Sequence, residues 1–168
     1  MKVAFLDRDG TIINDYPDLE WANVKEPEFF EQSIDSLKEI KNKGYEIIIV
    51  TNQYLINDGI ISYDDYYLFA NKFESILNKN GINILHTYFC PHNNEDNCTC
   101  KKPNPGMIKQ ALTDYPEIEL ENSFMVGDSQ VDIGLAKNFD LKVFGINQES
   151  DYSRNIRVGS LADILSFI

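Results

Sequence analysis

The chain has 168 residues, 43% hydrophobic and 25% charged, the balance of a soluble protein with a sizeable core. Its formal net charge of −12 sets its surface against phosphate backbones, and so against nucleic acid, but leaves room for a small anion held by local cations or a metal. No apolar run has the length of a membrane span, and the apolar start of MKVAFLDRDG is too short for a signal sequence. The three cysteines fall within residues 90–100 and make no disulfide framework, so a reduced, cytoplasmic setting is expected.

Strand-like and helix-like segments alternate, the pattern of an α/β protein on a mainly parallel sheet, expected as a single domain over residues 1–168. The first strand covers residues 3–6. A helix is predicted after Pro27, with Phe30, Ile34, Leu37 and Ile40 at helical spacing and Gly44 ending it. Residues 45–51 read as the second strand, and residues 14–26 as an irregular loop of a length that is often functional. Ser62 is a predicted N-cap with Asp65 three residues on, opening a helix with Tyr66, Phe69, Phe73 and Leu77 on one face and Gly81 at its end. A strand over 84–89 leads into the cysteine segment. Pro105 falls in the first turn of a helix carrying Ile108, Ala111 and Leu112. Residues 123–128 and 142–147 are further strands, and Ser160 is expected to cap a closing helix, LADILSFI.

Asp7, Thr51 and Asp128 each fall at or just past the C-terminal end of a predicted strand, where open parallel sheets bind ligands. In 4-AFLDRDGTII-13, a carboxylate ending a buried strand is costly unless compensated. Asp7 suits a nucleophile that takes a phosphoryl group, and Asp9 an acid and base for the leaving oxygen and the attacking water. Gly10 allows the sharp turn that folds Asp9 back. The Thr51 hydroxyl can donate to a phosphoryl oxygen, and Lys102, stiffened by Pro103-Asn104-Pro105, can neutralise charge on the transferring group. Asp128 completes an acidic cluster suited to Mg²⁺, with Asp132 expected to hold Lys102. Each feature alone has a plainer reading: a solvated turn, a β-branched strand residue, an exposed lysine pair, or a helix N-cap at Asp128.

The segment 90-CPHNNEDNCTC-100 offers Cys90, His92, Cys98 and Cys100, a Cys₃His set suited to tetrahedral Zn²⁺. Four protein ligands leave no open position, so the zinc is expected to be structural, clipping a loop with little apolar content and aiming Lys102. His86 lies off this spacing and reads as a packing residue.

In this order, Asp7-x-Asp9-Gly-Thr, Thr51, Lys102 and Asp128-x-x-x-Asp132 resemble the four motifs of haloacid dehalogenase superfamily phosphatases over residues 3–147. DRDGTI, TNQ, the CPH…CTCKKPNPGM block and VGD resemble the subgroup of D-glycero-D-manno-heptose 1,7-bisphosphate 7-phosphatases; histidinol-phosphate phosphatases share that block. The resemblance implies a three-layer Rossmann-like fold without a large cap domain and a small phosphorylated substrate. It further implies Mg²⁺ on Asp7, the Asp9 carbonyl and Asp128, with Arg8, Asn52, Gln53 and Lys101 as pocket residues. A monomer is expected. The chain departs from the subgroup at 54-YLINDG-59, where Tyr54 and Leu55 replace small residues and Asp58 a cation, and at Lys101, where arginine is common. The competing readings are a histidinol-phosphate phosphatase, a phosphoacceptor module and a zinc-stabilised binding module. Polynucleotide 3′-end repair is disfavoured by the acidic balance and the lack of basic-aromatic patches.

Overall fold

A computed structural model describes residues 1–168. Ten main elements follow one another: β1 (Val3–Leu6), α1 (Ser33–Asn42), β2 (Glu46–Asn52), α2 (Tyr63–Lys79), β3 (His86–Cys90), α3 (Gly106–Asp114), β4 (Phe124–Gly127), α4 (Gln130–Lys137), β5 (Lys142–Ile146) and β6 (Asn155–Val158). The strands form one parallel sheet in the order β3-β2-β1-β4-β5-β6.

Side-chain alternation along the strands splits the core into two layers. Ala4, Leu6, Ile47, Ile49 and Val126 pack with Leu37 and Ile40 of α1 and Phe69, Phe73 and Leu77 of α2. Val3, Phe5, Ile48, Val50 and Met125 face Met107, Ile108 and Ala111 of α3 and Ile133, Leu135 and Ala136 of α4. A parallel sheet covered on both faces needs strands apolar throughout, and β1 and β4 are buried at every position. Strand order reverses between β1 and β4, opening a crevice beyond their carboxyl ends.

Two expectations are corrected, and one element was missed. The helix predicted after Pro27 begins only at Ser33, because residues 28–30 pair with the first turn of the chain. Asn14 N–H donates to Glu28 O and Phe30 N–H to Ile12 O, and Ile13 bridges Phe29. Phe30 is therefore outside the helix and exposed. The closing segment is a short 3-10 turn, Ala162–Ser166, and Ser160 does not cap it; the Asp163 side chain accepts from the Gly159 and Ser160 backbone N–H groups. β6 was not foreseen: it is a four-residue edge strand with only Val158 buried.

The irregular stretch after β1 contains a 3-10 turn, Asp18–Asn23, pinned by the buried Trp21. Its ring meets Tyr16 and Phe69 edge-on at 5.4 and 5.5 Å, and its Nε1–H donates to Asp15. His86 packs its ring 4.3 Å from that of Tyr88.

The α2 N-terminus carries the foreseen cap as a reciprocal pair: Ser62 Oγ accepts from Asp65 N–H at 3.0 Å and Asp65 Oδ2 from Ser62 N–H at 3.1 Å. Ser62→Ala is expected to lower stability by about 1 kcal/mol in urea denaturation, with the transition still cooperative.

Candidate active site

Asp7 follows β1 and is fixed by its backbone N–H donating to Val126 O of β4 at 2.9 Å. It shares a cleft beyond the strand ends with Thr51 and Asn52 of β2, Lys102 from the loop before α3, and Asp128 after β4. Lys102 is the hub. Its Nζ lies 2.6 Å from Asp7 Oδ1 and 2.7 Å from Asp132 Oδ1, with the ammonium and Asp132 both almost wholly buried. Burial works against the charged ammonium, but the carboxylates of Asp132 and Asp7 outweigh it and hold Lys102 well above its ordinary value. Asn52 clamps the Lys102 backbone, accepting from its N–H at 2.8 Å and donating to its carbonyl at 3.2 Å. Asp132 is the acidic partner of a capping box, accepting from Ser129 N–H and, at 2.6 Å, Ser129 Oγ–H. Asp128 is thus not the N-cap of α4; Ser129 is.

Asp9 is gripped from two sides. Arg8 donates through Nε to Oδ1 at 2.8 Å and through Nη2 to Oδ2 at 2.9 Å, and Gln53 Nε2 donates to Oδ2 at 2.8 Å. Gln53 Nε2 also reaches Thr51 Oγ1 at 2.8 Å, tying the two proposed phosphate-handling strand ends together.

Asp7, Asp9, Asp128 and Asp132 are four carboxylates against two cations, Arg8 and Lys102. With Asp15 and Asp18 also on the cleft wall, carboxylates outnumber cations, which suits a divalent cation. Burial, and then the neighbouring carboxylates, push Asp7 well up despite Lys102, and Asp128 is pushed up to about 6 by burial and by Asp132. Asp7, Asp128 and Asp132 present oxygens within 4.8 Å of one another. Asp132 has both oxygens engaged, by Lys102 and Ser129, whereas Asp7 Oδ2 accepts only a long 3.4 Å hydrogen bond from Thr11. Asp7 Oδ2 and Asp128 are therefore the oxygens best placed to hold a metal. A β-carbon on Gly10, where φ is +80°, would lie 2.1 Å from Asp128 Oδ2, so only glycine lets the loop approach that carboxylate.

The second cluster is Cys90, His92, Cys98 and Cys100, all free thiols or imidazole with donor atoms within 4.8 Å. Cys90 Sγ is 3.6 Å from Cys98 Sγ and 3.4 Å from His92 Nδ1, which is 3.2 Å from Cys100 Sγ. Tetrahedral Zn²⁺ with bonds of about 2.0–2.3 Å spaces its ligands roughly 3.5–3.8 Å apart. Cys90 lies near that spacing from Cys98 and His92, whereas Cys90 and Cys100 Sγ, at 2.8 Å, would move apart on binding. Three thiols and an imidazole are the donor types that suit zinc. Lys101 N–H donates to Cys98 Sγ, which links the cluster to the residue before Lys102.

Other expected pocket residues divide. Asn52 and Gln53 line the cleft. Arg8 does not; it is 2% exposed and sits behind the wall. Lys101 and Asp58 line an outer groove with Tyr54, Asn93 and Asn94. There Lys101 Nζ is 4.5 Å over the Tyr54 ring, and Asp58 accepts from Asn93 Nδ2. Sequence reasoning missed Asp15, Asp18 and Trp21 as cleft residues, and Gln148, whose Nε2 donates to the Asp128 carbonyl at 2.7 Å. The single tryptophan in an irregular loop was a usable signal; nothing local marked Gln148.

A family model described as polynucleotide kinase 3 phosphatase matches residues 2–154. The chain is 40% identical over 143 residues to D-glycero-beta-D-manno-heptose-1,7-bisphosphate 7-phosphatase of Helicobacter pylori strain J99, covering 84% of this chain and 80% of that one. It is 39% identical over 140 residues to the Photorhabdus laumondii enzyme named for the alpha anomer, covering 79% and 75%. Among solved structures, D,D-heptose 1,7-bisphosphate phosphatase from B. bronchiseptica, complexed with magnesium and phosphate, superposes with a TM-score of 0.85 at 23% identity, over 99% of this chain and 97% of that one.

Lys102→Met would strand two buried carboxylates, a loss of about 3–5 kcal/mol. Asp7 already holds its proton more tightly folded than unfolded. Its stabilising contribution is therefore full below the ordinary carboxylate range and is lost as pH rises through the raised value. The variant's deficit, measured by urea denaturation, is expected to be larger at about pH 8 than at about pH 5. A deficit independent of pH would mean that the triad is not held by charge.

Proposed function

The chain belongs to the family described as polynucleotide kinase 3 phosphatase, its fold is that of haloacid dehalogenase-type phosphatases, and from that premise we propose that it removes the 7-phosphate of D-glycero-D-manno-heptose 1,7-bisphosphate. It is a phosphatase; the substrate and the residue roles are our reading. The observation that carries it is the meeting of Asp7, Asp9, Thr51 and Lys102 at one set of strand ends.

In this reading an Asp7 carboxylate oxygen attacks phosphorus as the bond to the leaving oxygen breaks, giving an aspartyl-phosphate. Lys102 Nζ and Thr51 Oγ1 receive the phosphoryl oxygens. Asp9 protonates the leaving alcohol, then takes a proton from the water that hydrolyses the aspartyl-phosphate. Asp7, Asp128 and the Asp9 carbonyl would hold Mg²⁺, which when bound neutralises charge on the phosphoryl group. Asp132 keeps Lys102 charged and in place.

A small substrate is favoured over a polynucleotide end by the net charge of −12 and by Asp15 and Asp18 on the cleft wall. Histidinol phosphate, whose amine would suit an acidic rim, is the second reading. Asp58 and Glu95 in the outer groove favour that amine; against it, Lys101 lies in the same groove over the Tyr54 ring, where a second phosphate reaching past Tyr54 would meet a cation.

The test is kcat/KM for both anomers of the heptose bisphosphate, for histidinol phosphate and for a 3′-phosphorylated oligonucleotide. The heptose bisphosphate is expected to lead by at least about tenfold, and Asp7→Asn to abolish turnover of every substrate. A clear lead for either alternative would overturn the substrate, and near-normal turnover by Asp7→Asn the covalent route.

For Cys90, His92, Cys98 and Cys100 we propose a structural zinc. Purified protein is expected to contain about one zinc per chain by elemental analysis. Cys98→Ser is expected to lower Tm and kcat together, since Lys101 and Lys102 follow directly on the clip. Full stability and activity in zinc-free protein would show the cluster to be incidental.

A further inference from the structure

Arg8 is the largest fully buried side chain of the protein, 2% exposed, and it lies outside the cleft. Its guanidinium carbon sits 5.0 Å from the Phe69 ring centroid and 5.8 Å from that of Tyr66. Those rings leave it little freedom, and Nε and Nη2 are both spent on the Asp9 carboxylate. The remaining nitrogen, Nη1, is buried without a partner, in a cavity lined also by Trp21, Val24 and Ile61. A buried donor left unsatisfied is costly. An arginine kept only to fill this space would be replaced at no loss by an apolar side chain; what this one does is grip Asp9 with a planar fork that lysine cannot form.

We propose that Arg8 is a positioning residue: it fixes the plane of the Asp9 carboxylate so that Asp9 faces the leaving oxygen, and Gln53 registers the same carboxylate against Thr51. This rests on the proposed role of Asp9. In that step an Asp9 O–H bond breaks and the proton passes to the leaving oxygen. The P–O bond breaks as the bond from Asp7 to phosphorus forms, and Asp9 returns to a carboxylate accepting from Arg8 and Gln53.

The role predicts a dependence on the leaving group. Two substrates are compared: the heptose bisphosphate, whose alkoxide must be protonated, and p-nitrophenyl phosphate, whose phenolate leaves without a proton. The hydrolysis of the aspartyl-phosphate also uses Asp9 and is common to both substrates, so the step compared is release of the leaving group in a single turnover. There Arg8→Met is expected to lower the rate on the sugar phosphate roughly 10–100-fold with KM changed less than about threefold, and the rate on the aryl phosphate less than about threefold. Asp9→Asn is the control and should show the same contrast, larger. In the Asp9→Asn background, Arg8→Met should add almost nothing. Equal losses on both substrates would make Arg8 structural, and a raised KM with kcat kept would make it a substrate contact; either overturns the proposal. Should Arg8→Met not fold, Arg8→Lys keeps the charge and gives the same comparison. If neither folds, the role is structural and the proposal falls. If Asp9→Asn itself shows no contrast, the role of Asp9 fails and takes this proposal with it. A contrast in Asp9→Asn but not in the Arg8 variants overturns the proposal alone.

Discussion

The Lys102 ammonium, buried between Asp7 and Asp132 at 2.6 and 2.7 Å, is the contact to which most of the site can be traced. It joins the first strand to a loop 95 residues away and to the helix after β4. Two buried carboxylates, one just past β1 and one in the first turn of α4, would be costly to desolvate without a partner, and the one ammonium donates to both. Several other features serve that contact. Asn52 clamps the Lys102 backbone, Ser129 orients Asp132, and β-carbons on Gly127 or Gly134 would strike Asp132 and Pro103.

The same electrostatics explain how so acidic a chain can handle a phosphate. The global field of a net charge of −12 is screened within about 10 Å by salt, while a buried cation is hardly screened at all. The cleft carries more carboxylates than cations, and a bound divalent ion would offset that excess where the phosphoryl group sits. Acidity elsewhere then repels polyanions without hindering a small ester.

The loop between β3 and α3 has a second fastening at the Cys₃His cluster, and the two are coupled along the chain. Gly106 is packed so closely that a β-carbon would lie 2.5 Å from Thr99 O, and Asn104 Nδ2 donates to Cys98 O. The loop therefore folds back on the cysteines before α3 starts, leaving Lys102 at the apex nearest Asp7. A loop with few apolar side chains has no core of its own to do this.

Much of the site was legible in the sequence because strand ends are. Apolar runs mark β1, β2 and β4, and in a parallel sheet their carboxyl ends must share a crevice, so Asp7, Thr51 and Asp128 could be brought together before any coordinates. The cysteine spacing and the Ser62 cap are local patterns of the same kind. What lay beyond local pattern was decided by tertiary contacts. α1 starts at Ser33 because residues 28–30 are taken up by pairing with residues 12–14. β6 exists because β5 offers an open edge, with only one buried residue to announce it. Past the end of β1 the strand's alternation no longer says which way a side chain turns. Only the aromatic wall of Tyr66 and Phe69 sends Arg8 away from the cleft and onto Asp9. Lys101 and Asp58 lie in the outer groove, and Gln148 reaches the Asp128 carbonyl, because loops distant in sequence cross there. The sequence determined which chemical groups stand at the strand ends, since that follows from hydrophobic period and chain order. Their orientation depended on neighbours distant along the chain, and only the packed structure supplies those.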